Sequence, residues 1–155
     1  MTVQFSNVGI IGAGAMGRGI AQIAAQAGSQ VLLLDSFEGA AVRGRDAIVA
    51  QWQKLQEKGK LDEAQRDALS ARVHAVDSMQ ALAGCDLVIE AVIEDLEVKR
   101  KLFRELEAVV APSAILATNT SSLSVTAIAA AMAQPQRMAG FHFFNPVPLM
   151  KVVEV

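Results

Sequence analysis

The sequence predicts an α/β fold: a doubly wound, mostly parallel sheet with a helical hairpin inserted after the second strand. Three observations predict it. Short apolar runs at residues 8–11 and 31–34, and a strong buried strand at 86–92, suit strands buried on both faces, as in parallel sheets. A helical pattern separates the first two runs, which is the signature of a βαβ unit. A glycine-rich turn, Gly12-Ala13-Gly14-Ala15-Met16-Gly17, joins the first run to that helix.

The elements follow in order. Residues 15–27 place Ile20, Ile23, Ala24 and Ala27 at helical spacing, and Gly28 stands where a helix C′ residue is wanted. The second strand, 31–34, ends at Asp35. Residues 39–58 and 62–72 read as two polar helices with Gly59 and Lys60 between them, and these form the inserted hairpin. Residues 73–76 suit a short strand and 86–92 a buried central one. Residues 95–110 form a helix with Leu96, Leu102, Phe103, Leu106 and Val109 along one side. A strand at 114–117 leads to a short helix at 124–132 with Ser124 as its N-cap. Two last strands, 138–143 and 150–155, are joined by the turn Asn145-Pro146-Val147-Pro148.

Composition narrows the function. A length of 155 residues suits one domain, and 52% apolar residues supply its core. Charges of 14 basic against 16 acidic, net −2, give no general attraction to nucleic acid or to an anionic membrane. The single Cys85 excludes an internal disulfide and suits a reducing compartment. No stretch of about 18 uncharged apolar residues predicts a spanning helix. The N-terminus has no basic region ahead of an apolar segment, so no leader is expected and cytoplasm is the expected compartment. No metal is expected. The chain stops at Val155 inside a predicted strand, which suggests one domain over 1–155 cut from a longer protein.

The glycine turn matches G-x-G-x-x-G, and each glycine has a physical task. Gly12 makes the tight turn out of the strand, Gly14 lets backbone approach a pyrophosphate, and Gly17 lets helix and strand pack closely. The helix N-terminus then offers free N–H groups and partial positive charge to phosphates. Asp35 follows Gly17 by 18 residues, at the end of the second strand. Its carboxylate can accept both ribose hydroxyls of NAD and repels the 2′-phosphate of NADP; Ser36 and Phe37 provide no compensating arginine. The fold is therefore Rossmann-like and the cofactor NAD. Gly12, Ala13, Gly14, Ala15, Met16, Gly17 and Asp35 are its expected contacts.

Three further segments close predicted strands at the edge where open α/β sheets bind ligands: 91–96, 118–122 and 142–146. The glycine turn with its methionine, AVIEDLEVK at 91–99, NTSSL at 119–123 and HFFNPVPLMKVVEV at 142–155 together resemble the NAD-binding domain of 3-hydroxyacyl-CoA dehydrogenases. The similarity covers essentially the whole chain. The resemblance implies NAD-dependent oxidation of an L-3-hydroxyacyl-CoA to the 3-ketoacyl-CoA. It implies His142 as general acid/base, Glu154 as the acid that orients it, and Ser121 as a hydrogen-bond partner of the reacting oxygen near the nicotinamide. Val92, Glu94, Lys99, Ser121 and Asn145 are implied cofactor contacts. The chemistry agrees: a neutral imidazole is a suitable base near pH 7, and a paired carboxylate fixes its tautomer.

In that family the hairpin lies along the CoA moiety, which makes Lys54 and Lys60 candidates for its phosphates, with Ser121 also reaching the substrate. Asp46, Glu57, Asp62, Glu63 and Asp67 are interleaved with the bases there, so a plain solvated face is equally open. His74 has no partner motif and is read as structural, and Trp52 and Cys85 are read as packing residues. The resemblance further implies a C-terminal helical domain, absent from this chain. That domain closes the cleft, supplies a catalytic asparagine and makes a homodimer. Other readings are another β-hydroxyacid dehydrogenase, a non-catalytic NAD(H)-binding protein, and one module of a multifunctional β-oxidation protein.

Overall fold

The computed structural model describes residues 5–155. Part of the stretch on which the leader-free expectation rests, residues 1–4, lies outside the described residues. Along the chain run β1 (Asn7–Ile11), α1 (Ala15–Gln26), β2 (Gln30–Leu34), α2 (Ala40–Glu57), α3 (Glu63–Ser70) and β3 (Val73–Ala75). Then follow β4 (Leu87–Glu90), α4 (Leu96–Val109), β5 (Ile115–Thr118), α5 (Val125–Ala129), β6 (Met138–Gly140), β7 (His142–Phe143) and β8 (Val153–Glu154). The first six strands form one sheet in the order β3-β2-β1-β4-β5-β6, with every neighbouring pair parallel. The sheet grows from β1 in one direction, then from β4 in the other, so a crevice opens between the C-terminal ends of β1 and β4.

Strand parity assigns side chains to the two layers. Val8 and Ile10 of β1, Val31 and Leu33 of β2, and Leu87 and Ile89 of β4 face α1 and α2, in one core with Ile20, Ile48 and Trp52. Ile11, Leu34, Val88 and Leu116 face the other way, against Phe103 and Leu106 of α4 and Ile128 of α5. By the same alternation, the last residues of β4 and β5, Glu90 and Thr118, belong on the α4 side. Helix α2 buries Ala41, Gly44, Ile48 and Trp52 at helical spacing, so it is the crossover between β2 and β3. Helix α3 buries nothing and is held at its start by a reciprocal cap between Asp62 and Gln65. Ser124 caps α5 through Ala127 N at 3.1 Å, and Gly28 ends α1 with φ of 105°. Cys85 is a packing residue as expected: burial, helped by the charge of Asp86, pushes its thiol up to about 11 and leaves it inert.

Two expected strands are corrected. Residues 138–143 divide into β6 and β7, because β5 ends at Thr118 and its carbonyl takes its last bond from Phe141 N. Beyond that point the chain has no sheet partner, and Asn119 Oδ1 accepts from Phe143 N at 2.9 Å, drawing it across the crevice. Residues 150–155 contribute only Val153–Glu154, since the proline turn runs on through Leu149 and Met150, whose amides both donate to Pro146 O. No helix among the described residues is long and apolar enough to cross a membrane.

At the start of α1 the packing is as close as backbone allows. A Cβ on Gly17 would lie 1.6 Å from Gly12 O, and Gly12 itself has φ of 107°. Gly17→Ala should therefore lower stability by at least about 1–3 kcal/mol, as other overpacked substitutions do. This outweighs the roughly 1 kcal/mol that alanine gains over glycine inside a helix. Urea unfolding of the two proteins checks it.

Candidate active site

The glycine turn presents the first amides of α1 to the crevice. Gly14 is the N-cap, and the first helical amide bonded back to it is that of Arg18, which leaves the N–H groups of Ala15, Met16 and Gly17 without helical partners. A Cβ at Gly14 would meet nothing within 4 Å, so space stands open over these donors. Such a cradle fits a pyrophosphate. Ala13, expected at the cofactor, instead donates its amide to Asp35 Oδ2 at 2.7 Å, while Asp35 Oδ1 accepts from Phe37 N at 2.9 Å. Asp35 thus ties the turn to the end of β2 and still has lone pairs for ribose hydroxyls. Beside it lies a cavity of about 500 Å³ walled by Phe37, Ile93, Val98 and Leu102. Phe37 and Ile93 are 75% and 66% exposed, apolar walls that suit a planar base. Phe37, Ile93, Val98 and Leu102 were not among the expected site residues; only the exposed apolar side chains reveal them. The residues present therefore fit a dinucleotide.

A second cavity of about 370 Å³ adjoins the first through Ala91 and Val92. It brings together Met16, Val92, Glu94, Ser121, His142 and Asn145, six of the expected residues, from four separate segments of chain. His142 and Glu154 are directly paired across the antiparallel ribbon β7–β8, with Nδ1 and Oε2 3.0 Å apart. His142 is partly buried against the ring of Phe144, whose centroid is 4.6 Å away. The Asn145–Pro146 peptide is cis. Ser121 is exposed to the cavity, and its amide donates to Glu94 Oε1 at 3.2 Å.

Glu94 was open to reading as the start of a helix, but Asp95 takes that place, its side chain capping α4 through Val98 N at 2.9 Å. Glu94 Oε1 instead accepts from the Thr120 hydroxyl and from the amides of Ser121 and Ser122. Burial pushes its carboxyl up, but the Thr120 hydroxyl, the Lys99 charge and those two amides together outweigh this and hold it below the usual carboxylate range. The expectation for Lys99 is corrected. It is 1% exposed, neither solvated nor facing the crevice, with its ammonium bonded to Glu90 and 3.7 Å from Glu94 Oε2. The cause is strand parity, which aims Glu90 at α4 and gives a buried lysine its carboxylate. Glu90 Oε2 accepts from Thr118 Oγ1 at 2.7 Å and Oε1 from Val92 N at 2.7 Å. Sequence reasoning missed Glu90, Thr118, Asn119 and Thr120. A glutamate ending an otherwise apolar run was the available signal.

A groove of about 320 Å³ runs from Asn145, which also lines the second cavity, between α1, α2 and the proline turn. Arg18 and Gln51 line it. Lys54 lies about one turn beyond Gln51 on α2 and Lys60 in the link to α3; both are exposed. Among the described residues no group of three or more His, Cys, Asp or Glu is arranged to hold a metal ion.

Comparison with known proteins supports dinucleotide binding. The family model described as 3-hydroxyacyl-CoA dehydrogenase, NAD binding domain, matches residues 7–155. A probable 3-hydroxybutyryl-CoA dehydrogenase of Deinococcus radiodurans is 48% identical over 147 residues, covering 95% of this chain and 52% of the relative. A crystal structure of 3-hydroxybutyryl-CoA dehydrogenase from Escherichia coli superposes with a TM-score of 0.92 at 48% identity, over 99% of this chain and 32% of that one. The (S)-3-hydroxybutyryl-CoA dehydrogenase of Ralstonia eutropha gives 0.91 at 39% identity, over 97% and 53%. The chain thus spans about half the length, or less, of the relatives it matches.

Two outcomes follow from the geometry. Gly14→Ala should leave unfolding free energy within about 0.5 kcal/mol. It should weaken NADH binding by about tenfold or more, equivalent to about 1.4 kcal/mol, in a fluorescence titration. Glu94 has a lowered folded pKa, so its ionised form adds stability that is whole at neutral pH and is lost as pH falls through that pKa. The stability difference between wild type and Glu94→Gln should therefore shrink below about pH 4, as measured by urea unfolding across pH.

Proposed function

The chain belongs to the 3-hydroxyacyl-CoA dehydrogenase family as its NAD-binding domain, and on that premise we propose that it serves the oxidation of an L-3-hydroxyacyl-CoA to the 3-ketoacyl-CoA. The observation that carries the proposal is the pairing of His142 with Glu154 beside Ser121 and Asn145, in a cavity that adjoins the dinucleotide cradle. The coenzyme NAD, when bound, supplies the hydride acceptor for C3 of the substrate.

The chain's own residues handle the proton. With Nδ1–H donated to Glu154, the His142 ring presents an unprotonated Nε2 to the cavity. Nε2 accepts the proton of the 3-hydroxyl as the carbonyl forms, and Glu154 stabilises the resulting imidazolium. In the reverse direction the same nitrogen returns the proton. The Ser121 hydroxyl hydrogen-bonds the reacting oxygen and holds it toward His142. The groove leading from Asn145 past Gln51 and Arg18 takes the thioester tail, with Lys54 and Lys60 on the exposed hairpin beyond it. Regions beyond this chain supply closure of the cleft and the homodimer. The His142–Glu154 pair favours this reading over a β-hydroxyacid dehydrogenase of another type or a non-catalytic dinucleotide-binding protein, neither of which requires it.

The test is kinetic, with the full-length enzyme. His142→Gln should lower kcat by about 10²- to 10⁴-fold, the usual contribution of a general acid/base, while NADH affinity stays within about twofold. Glu154→Gln should give a smaller loss in the same direction. Full turnover by His142→Gln would sink the proposal.

A further inference from the structure

Beneath the reaction cavity lies a buried polar chain whose purpose stability does not explain. Glu90 and Thr118 end adjacent parallel strands in direct register and are fully buried, and Lys99 is 1% exposed. Burying such an ion pair costs more in lost hydration than a packed apolar pair of the same volume. Lys99 also sits one turn into α4, where the helix dipole opposes a cation. An apolar pair would serve the core better, so the charges point to another task.

The contacts run in one direction, from sheet to cavity. Thr118 Oγ1 and Val92 N fix Glu90 from the strand ends. Glu90 fixes the Lys99 ammonium, which also donates to the Val92 carbonyl oxygen at 3.4 Å. Lys99 faces one oxygen of Glu94, and the other oxygen gathers the Thr120 hydroxyl and the Ser121 and Ser122 amides. Glu90 and Lys99 do not line the cavity; Glu94 and Ser121 do. One cation is therefore shared between a carboxylate locked to the sheet and a carboxylate that holds the Ser121 loop. The titratable groups around Glu94 are Lys99 and Glu90 beneath it and His142 across the cavity.

We propose that Glu90 and Lys99 are positioning residues of the active site: through Glu94 they set the loop that places Ser121 opposite His142. The proposal rests on the reading of this cavity as the reaction site. Loss of Lys99 frees Glu94 from its cation, and the Ser121 and Ser122 amides then lose a fixed, ionised acceptor.

The amides themselves are the readout. Nitrogen–proton NMR spectra of the 155-residue chain across pH would follow Ser121 and Ser122, whose shifts report the ionisation of Glu94. Three proteins would be compared: wild type, Lys99→Met, and the double variant Glu90→Gln/Lys99→Met. The double variant removes both buried charges and should regain the thermal stability that Lys99→Met loses. The expected result is a raised midpoint in both variants. Hydrogen exchange at the two amides should also become about tenfold faster in the stable double variant. If the double variant is as stable as wild type and its amides keep the wild-type midpoint and exchange rate, the pair is only a support of the fold and the proposal is wrong. The kcat of His142→Gln in the full-length enzyme tests the reading of the cavity separately, so failure there and failure of the network appear in different measurements.

Discussion

The contact between Gly17 and Gly12 is the constraint on which the rest of the molecule depends. Helix α1 is pressed so close to the end of β1 that any side chain at Gly17 would occupy the space of the Gly12 carbonyl. This approach determines where the helix begins, and so where its unbonded amides point. Asp35 then locks the turn from the neighbouring strand by accepting the Ala13 amide. The open amides at the start of α1 and the position of Asp35 beside them both depend on one close packing of backbone on backbone.

The opposite side of the crevice is organised by charge rather than by packing. Alternation along β4 and β5 directs Glu90 and Thr118 into the layer occupied by α4, where an ordinary core would have apolar groups. Lys99 answers them, and Glu94 carries the arrangement to the surface. The crevice thus has one wall held by steric necessity and one held by a buried electrostatic chain. Asn119 joins the second wall to the β7–β8 ribbon by accepting the Phe143 amide.

Much of this was legible in the sequence, for physical reasons that differ by element. Parallel strands buried on both faces announce themselves as apolar runs, so β1, β2 and β4 were readable. The glycine turn was readable because Gly12 and Gly17 have no room for a side chain. His142, Glu154, Ser121 and Asn145 were identified through resemblance to a family, not through spacing alone; the structure gathers His142, Ser121 and Asn145 in one cavity with Glu154 paired to His142. What was not legible depended on partners distant in sequence. The break at Phe141 follows from where β5 happens to end. The burial of Lys99 follows from a glutamate nine residues earlier whose direction only strand parity reveals. The walls formed by Phe37 and Ile93 carry no signature beyond being apolar in a loop.

The histidine and its carboxylate stand on a ribbon of two residues per strand, outside the six-stranded sheet. Such a short pairing is not stable alone and draws its order from Asn119, from Val147 packed against Gly19, and from whatever else covers it. Its supports are therefore separate from the contact that shapes the glycine turn, although Phe143 and Val147 join the same core. The glycine turn can thus be formed independently of the exact pairing of His142 with Glu154. Evolution can tune the two separately: substitutions in the ribbon's supports change how often the chemistry is available without altering how tightly the coenzyme is held.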